Sequence, residues 1–414
     1  VVVVGHKDAE RIPNQTGPFQ ELHALAGPLH GLGVYGRLNE VIRDDAPETP
    51  CHGASCLARS KRCSASINQM PRVGKMRMEE RIETSQGKFF LRPFAPEDEA
   101  KVLDLWAAAF HKKMPLPLWQ WKYVANPFGT PMMVCVSESG EIAAFFAAIR
   151  YPALWKGRQT FMLHAVDNMS HPAYRGVLSG RKGLFARTAE HFFRCHTGPE
   201  KSVFVYGYPG VRHFRLGHHL LGYTALPRGV TFLRDQSNKM RRKRSLSFRI
   251  VETVQTASED FDHFCQSAAR EYPFAVRRDA AFIRWRFLDH PSQKYQLWVC
   301  RSFRTRRIMA FAAVHRQEGR AQLVDLLALG DDKDTIRLLA EIASDLASAG
   351  GEVLECWLPS GHFLTNLLRT IGFEEAPEPF GFVPACVNRS FHPNLDITWA
   401  MRNFFYTLAD ADLL

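Results

Sequence analysis

The sequence predicts a mixed α/β (α+β) protein made of two like domains, and three observations carry that prediction. From residue 87 onward, strand-length apolar runs alternate with runs of helical periodicity. The segment Trp121-Lys-Tyr-Val-Ala-Asn-Pro127 returns as Trp285-Arg-Phe-Leu-Asp-His-Pro291, type by type except where Ala125 meets Asp289. Leu221-Gly-Tyr223 likewise returns as Ile371-Gly-Phe373, each closing a helix ahead of a strand. A repeat of about 150 residues is a duplicated domain, too long for a solenoid unit.

The elements follow in order. Phe89-Phe-Leu-Arg92 reads as a strand, and 96–110 as an amphipathic helix with Val102, Leu103, Leu105, Trp106 and Phe110 on its apolar side and Pro96 in its first turn. Strands 132–137 and 142–151 flank the turn Glu138-Ser-Gly-Glu141, a hairpin signal, and 159–166 is a third strand. A helix opens near Gly183, with Leu184, Phe185, Ala189, Phe192 and Phe193 on one stripe, and strand 202–207 leads to a short helix ending near Leu221. In the second copy the strands are 296–301, 308–315, 322–329 and 352–358, and the helices 335–349 and 362–370. The domains are therefore expected at 85–235 and 251–414, joined by a basic linker at 236–250. Residues 1–84 mix Gly, Pro, Ser and charge without periodicity and read as disordered, or as an extension upstream of a start at Met76 or Met78. Mass spectrometry of the native protein decides this, since a peptide from residues 1–70 would sink the second idea.

The stretch His171-Pro-Ala-Tyr-Arg-Gly-Val-Leu-Ser-Gly-Arg-Lys-Gly-Leu-Phe185 joins strand to helix through a glycine- and arginine-rich turn. A helix start has N–H groups without intrahelical partners and the positive end of the dipole, so an anionic diphosphate fits there. Gly180 and Gly183 allow close backbone approach, and Arg175, Arg181 and Lys182 add charge. A Walker loop requires Ser or Thr after its Gly-Lys, whereas Lys182 precedes Gly183; the dinucleotide fingerprint requires three glycines in another spacing. The alternative is an ordinary basic surface turn.

With its His-Pro-x-Tyr-Arg start and Gly-Leu end, this segment resembles the acetyl-CoA pyrophosphate loop of the GNAT superfamily of N-acetyltransferases, and the β-α-β-β-β-α-β-α order of 87–223 is similar to a GNAT domain. Val177, Leu178 and Ser179 look like an insertion. The resemblance implies a tandem GNAT protein of bacterial type, each domain a central mixed, mainly antiparallel sheet flanked by helices. It further implies acetyl-CoA as co-substrate and transfer to an amine. Asn168, Met169 and Ser170 occupy the position that holds the pantetheine, ahead of the diphosphate set Arg175, Gly176, Gly180, Arg181, Lys182, Gly183 and Leu184. Asp167 is the candidate base, with His164 and His171 as alternatives. The tyrosine that usually protonates the leaving thiolate is replaced by His218, and Tyr206 and Tyr208 compete with it for that role. In the second copy the corresponding loop reads Gly330-Asp-Asp-Lys-Asp334, whose carboxylates repel a diphosphate. That copy is expected to have lost the coenzyme.

Composition sets the remaining bounds. A net charge of +11 on 414 residues suits an anionic ligand, and by itself equally nucleic acid or an acidic membrane surface. Five of the six residues from Lys239 to Arg244 are basic, yet without aromatic interleaving, which disfavours nucleic acid as a partner. No apolar run reaches the roughly 20 residues that span a bilayer, and a signal peptide is not recognisable, so a cytoplasmic location without membrane insertion is expected. Nine cysteines contain no C-x-x-C pair, and no metal is expected, the loose group Cys51, Cys56 and Cys63 included. Cys135, Cys300 and Cys356 read as buried thiols in strands. The leading expectation is acetyl-CoA-dependent N-acetylation of a small-molecule amine, an amino sugar or sugar nucleotide in its narrower form. Asp410 and Asp412 are candidates to receive the cationic amine. The alternatives are a Fem-type aminoacyl or peptidyl transferase and a non-catalytic acyl-CoA-binding regulator. An oligomer is left open.

Overall fold

The structure, a computed structural model, describes residues 79–209, 211–225, 230–235, 248–317, 320–330, 332–348, 353–377 and 387–411. The segment 1–78 with Cys51, Cys56 and Cys63, most of the linker, Asp331 and Asp412 lie outside them. The first half runs β1 (Glu80–Thr84), β2 (Gly87–Pro93), α1 (Glu99–Phe110), α2 (Leu116–Trp119), β3 (Met132–Ser137), β4 (Ile142–Trp155), β5 (Arg158–Ser170), α3 (Leu184–His196), β6 (Ser202–Gly207), α4 (Val211–Leu221), β7 (Thr224–Ala225) and β8 (Val230–Asp235). The second runs β9 (Arg249–Val254), α5 (Asp260–Ala268), β10 (Phe274–Val276), α6 (Ala280–Ile283), β11 (Tyr295–Ser302), β12 (Ile308–Gln317), β13 (Arg320–Ala328), α7 (Asp332–Ser348), β14 (Val353–Pro359), α8 (Phe363–Thr370), β15 (Phe373–Glu375), β16 (Val387–Ser390), α9 (Ile397–Asn403) and β17 (Phe404–Phe405).

Order begins earlier than the patterning predicts. Glu80–Thr84 is a strand paired with β2 across a tight turn, and only Ile82 of it reaches the core, which is too little apolar signal to read. Pro96–Asp98 forms a separate 3-10 turn, so the helix proper begins at Glu99. Arg92 grips Asp98 there, and Asp98 accepts the Ala95 N–H at 2.9 Å.

One sheet has the order β1-β2-β3-β4-β5-β6-β16-β7, with β10 on the far end of β4 and β17 beside β10; the other is β15-β8-β14-β13-β12-β11-β9. Parallel pairing occurs at β5/β6, β13/β14 and β10/β17, and the other pairs are antiparallel. Each sheet contains strands from the opposite half of the sequence, β10, β16 and β17 in the first sheet and β8 in the second. β8 is inserted between β14 and β15, and β16 between β6 and β7.

The repeated tryptophans sit between the halves. Gln120–Val124 and Arg284–Leu288 each form a single π-helical turn, bringing Trp121 and Trp285 face to face at 4.8 Å and 9°. Each indole N–H donates to the other's backbone carbonyl, Trp121 to Trp285 at 2.7 Å and Trp285 to Trp121 at 3.0 Å. The repeat is thus a two-fold-like contact in which each copy satisfies its twin, since a buried indole N–H needs a partner. Cys135, Cys195, Cys265, Cys300 and Cys356 are buried free thiols.

His362 caps α8, its Nδ1 accepting the Leu364 N–H at 3.4 Å, a bond that only the neutral ring can accept. Burial lowers its pKa to about 4. Between pH 6.5 and 4 the unfolded chain binds a proton here that the native chain does not, so stability rises with pH across that window. The contribution is at most about 3 kcal/mol, complete above pH 6.5 and lost towards pH 4. The gap between urea midpoints at pH 4.5 and 7 is expected to narrow in His362→Asn, which keeps a cap and removes this titration, while buried His196, also lowered to about 4, keeps part of it.

Candidate functional site

The segment after β5 is a 13-residue excursion before α3 begins, and its sequence explains how it is held. The His171 ring accepts the Ala173 N–H at 3.2 Å and so caps a 3-10 turn over Pro172–Tyr174, which makes it a structural residue. Tyr174 packs edge-on against Phe89 at 5.6 Å and donates to the Glu141 carboxylate, a bond that holds its phenol above the usual tyrosine range. Val177 and Leu178 pack against the cluster of Ile82, Phe89, Leu91 and Leu184 and pin the middle of the loop to the core. Gly176 and Gly180 take φ of 97° and 61°, the left-handed region that glycine enters without cost. At Gly183 a Cβ would lie 3.1 Å from two backbone oxygens, those of Gly180 and Leu178. Arg175, Arg181 and Lys182 are exposed, and α3 has no acidic residue in its first turn. Arg175 is turned back, its Nη2 donating to the Ser170 carbonyl at 3.1 Å.

Beside this loop the first sheet opens. β5 and β6 pair in parallel from Phe161↔Ser202 to His164↔Tyr206 and no further, although β5 continues along β4 to Ser170. The cause is a bulge: Phe145 faces Met169 while Ala147 faces Val166, so β5 carries one extra residue and turns away. Asp167 is in that bulge with φ 48°, a left-handed conformation that aspartate tolerates better than most residues. Asn168 closes the gap, its Oδ1 accepting the Ala147 N–H at 2.9 Å. Asp167 does not stand free as a base would. Its side chain is buried, and Oδ2 accepts from Lys122 Nζ at 2.6 Å and from Tyr123 OH at 2.6 Å.

Tyr208 follows the end of β6, just past its last pair with β5, and its hydroxyl is buried. Its ring meets His164 at 5.8 Å, Tyr206 at 6.0 Å, Trp357 at 4.9 Å and Tyr406 at 6.0 Å. His164 is itself buried in a stack with Tyr206, so it belongs to the core. Two of these rings, Trp357 and Tyr406, come from the second half, a contribution that spacing along the chain could not reveal.

The second half opens in the same way and is filled. β13 and β14 pair only from Arg320↔Val353 to Leu323↔Cys356. Beyond them lies the tail, buried without a break from Phe404 to Ala411. Asp410 does receive a cation, but an internal one: Arg278, fully buried, donates to Asp410 at 2.7 Å and to Asp325 at 2.8 Å. The connection to α7 is three residues, its first turn carries Asp332 and Asp334, and Arg249 neutralises Asp334.

Among solved structures the chain is similar to a conserved protein of unknown function from Enterococcus faecalis described as a probable N-acyltransferase, at 14% identity over 73% of this chain and 72% of that one, with a TM-score of 0.57. It is also similar to GCN5-related N-acetyltransferases from Anabaena variabilis, at 13% identity over 73% of each chain and a TM-score of 0.54, and from Kribbella flavida, at 16% identity over 73% and 71% and a TM-score of 0.53. The chain has the GCN5-related N-acetyltransferase fold. No protein-family model and no curated protein matches it. In this chain the loop 171–183 follows directly on the end of β5 that has parted from β6.

His218 lies on the last turn of α4, exposed, and its Nδ1–H donates to the Tyr223 carbonyl at 2.9 Å. Its contacts stay within its own helix and the turn that follows, whereas Tyr208 lies just past the end of the β5/β6 pairing. The turn explains Gly217 as well, because a Cβ there would meet the Tyr223 ring at 2.5 Å. Alanine improves helix propensity by about 1 kcal/mol, but overpacking costs about 1–3 kcal/mol and wins. Gly217→Ala is expected to lower the melting temperature, and Gly217→Ala with Tyr223→Leu to recover it.

Proposed function

We propose that the first half binds acetyl-CoA as co-substrate and transfers its acetyl group to the nitrogen of a small amine. One observation carries this reading: a long glycine-rich basic loop, leading to an acid-free helix start beside an open strand pair, is found in the first half, while the matching place in the second is short, acidic and filled. The diphosphate would be held by the loop from Arg175 to Gly183 and the first N–H groups from Leu184, and the pantetheine by the backbone of Asn168, Met169 and Ser170. The thioester supplies the activated acyl group. As the amine nitrogen bonds to the thioester carbonyl carbon and the C–S bond breaks, Tyr208 gives a proton to the departing thiolate, and the proton shed by the nitrogen passes to solvent and restores the phenol. Asp167 acts as a positioning residue, because its carboxylate is committed to Lys122 and Tyr123. His218 is a helix cap.

Titration calorimetry with CoA tests the cradle. The intact chain is expected to bind it, and Arg181→Ala with Lys182→Ala to weaken binding about 10-fold or more, as two charge-assisted contacts require. Unchanged affinity in the double variant, or no binding of any CoA compound, overturns the proposal. Turnover is read from thiol release across an amine panel that includes amino sugars. Tyr208→Phe is expected to slow a single turnover about 10²-fold at unchanged coenzyme affinity.

A further inference from the structure

Next to the phosphate loop lies a cleft of ≈ 460 Å³, lined by Arg181 of the loop, Ala186 and Glu190 of α3, Leu221 at the end of α4, and Arg389. The turn carrying Arg181 touches both helices. Arg389 belongs to β16, the strand that the second half inserts between β6 and β7. Its Nη1 donates to Glu190 at 2.9 Å and to the Leu221 carbonyl at 2.8 Å, and its guanidinium lies over Phe193 at 5.2 Å and Phe391 at 4.7 Å. Those contacts fix the group in advance of any ligand. Both hydrogen bonds use Nη1, and a guanidinium also carries donors on Nη2 and Nε. With two arginines against one carboxylate, the cleft is net cationic and adjoins a loop suited to a diphosphate.

A coenzyme A held at its diphosphate by this loop has, by its covalent structure, an adenosine 3′-phosphate a few bonds away. The cleft shares Arg181 with the loop and is therefore within reach of that group. Resting on the coenzyme reading above, we infer that Arg181 and Arg389 form a phosphomonoester subsite for the coenzyme's 3′-phosphate, half of it supplied by the second half of the chain through its exchanged strand. Arginine suits the task, since its planar fork matches a phosphate with two parallel bonds. The second copy then has a part in coenzyme recognition without holding a coenzyme itself.

Affinities for CoA and for 3′-dephospho-CoA, measured by calorimetry on the full chain, test this. The wild type is expected to prefer CoA by about 10-fold or more. Arg389→Gln should reduce that preference to under about 3-fold while leaving the affinity for 3′-dephospho-CoA unchanged. Because Arg389 also braces α3 and α4, Arg181→Gln on the exposed turn provides an independent arm and should reduce the same preference. Glu190→Gln should widen it by removing the competing carboxylate. Equal binding of the two compounds by the wild type, or a preference that survives both arginine variants, overturns the subsite alone. Failure to bind either compound overturns the coenzyme reading itself.

Discussion

Divided within 236–247 and expressed separately, neither half is expected to fold cooperatively, whereas the two co-expressed should assemble and unfold near the temperature of the intact chain. Each sheet takes an interior strand from the other half, β16 between β6 and β7 and β8 between β14 and β15. Removing an interior strand breaks a sheet in two and exposes two hydrogen-bonding edges, a worse defect than losing an edge strand. The separation also leaves Trp121 and Trp285 each without a stacking partner and without an acceptor for its N–H. The first half further loses β10 from β4, and with the tail it loses the Asp410 carbonyl that accepts from the Tyr206 hydroxyl. A domain has about 5–15 kcal/mol to lose, and these defects together exceed it. Circular dichroism melts and size-exclusion chromatography of each half alone and of the pair provide the measurement. A sharp, cooperative melt from an isolated half would show that the strand exchange is not required for folding.

What the sequence revealed follows local periodicity, and what it hid follows contacts between distant segments. The start of the helix after the loop is read to within a residue, because Leu184, Ala189, Phe192 and Phe193 recur at helical spacing and Gly183 marks the start, while its last turn to His196 is not. The third strand is read four residues short, since the Asp167–Ser170 end has polar residues where a bulge, not burial on alternate faces, sets the conformation. The duplication is legible in Trp121 and Trp285, but their mutual hydrogen bonds are not, because a repeat says what recurs and not what it touches. The same limit applies to the site. Gly176, Gly180 and Gly183 announce a tight loop through their own backbone needs, whereas Lys122 and Tyr123 reach Asp167 from 45 and 44 residues away. Trp357 and Tyr406 are more remote still from Tyr208 in sequence, and Arg278 lies 132 residues from Asp410. β8 and β16 are short strands whose partners lie in the other half, so nothing in their own spacing marks the exchange.

Arg278→Met is expected to cost about 3–5 kcal/mol, a third or more of a typical domain's stability. Its guanidinium is fully buried and donates to Asp325 and Asp410, to Thr407 Oγ1 at 3.3 Å and to the Val276 carbonyl at 3.0 Å. Removing it strands two carboxylates where solvation is poor, and that desolvation, more than the lost attraction, sets the cost. The pH dependence distinguishes this cause from a simple packing defect. Burial raises the pKa of Asp410, with Arg278 opposing the rise, so without Arg278 the native carboxyl holds its proton more tightly still. A group whose pKa is raised by folding binds protons better in the native than in the unfolded chain, so the variant regains stability as pH falls. The deficit measured by urea unfolding should therefore shrink from pH 8 to pH 5, whereas a packing defect would leave it constant. Function should suffer with it, because the Tyr206 hydroxyl donates to the Asp410 carbonyl at 3.2 Å and Tyr406, next to Thr407, faces Tyr208. Loosening the tail thus loosens the wall beside the residue proposed to donate the proton. A variant folded well below its melting temperature should still show a slowed single turnover, and a normal rate there would separate the network's structural role from any part in catalysis.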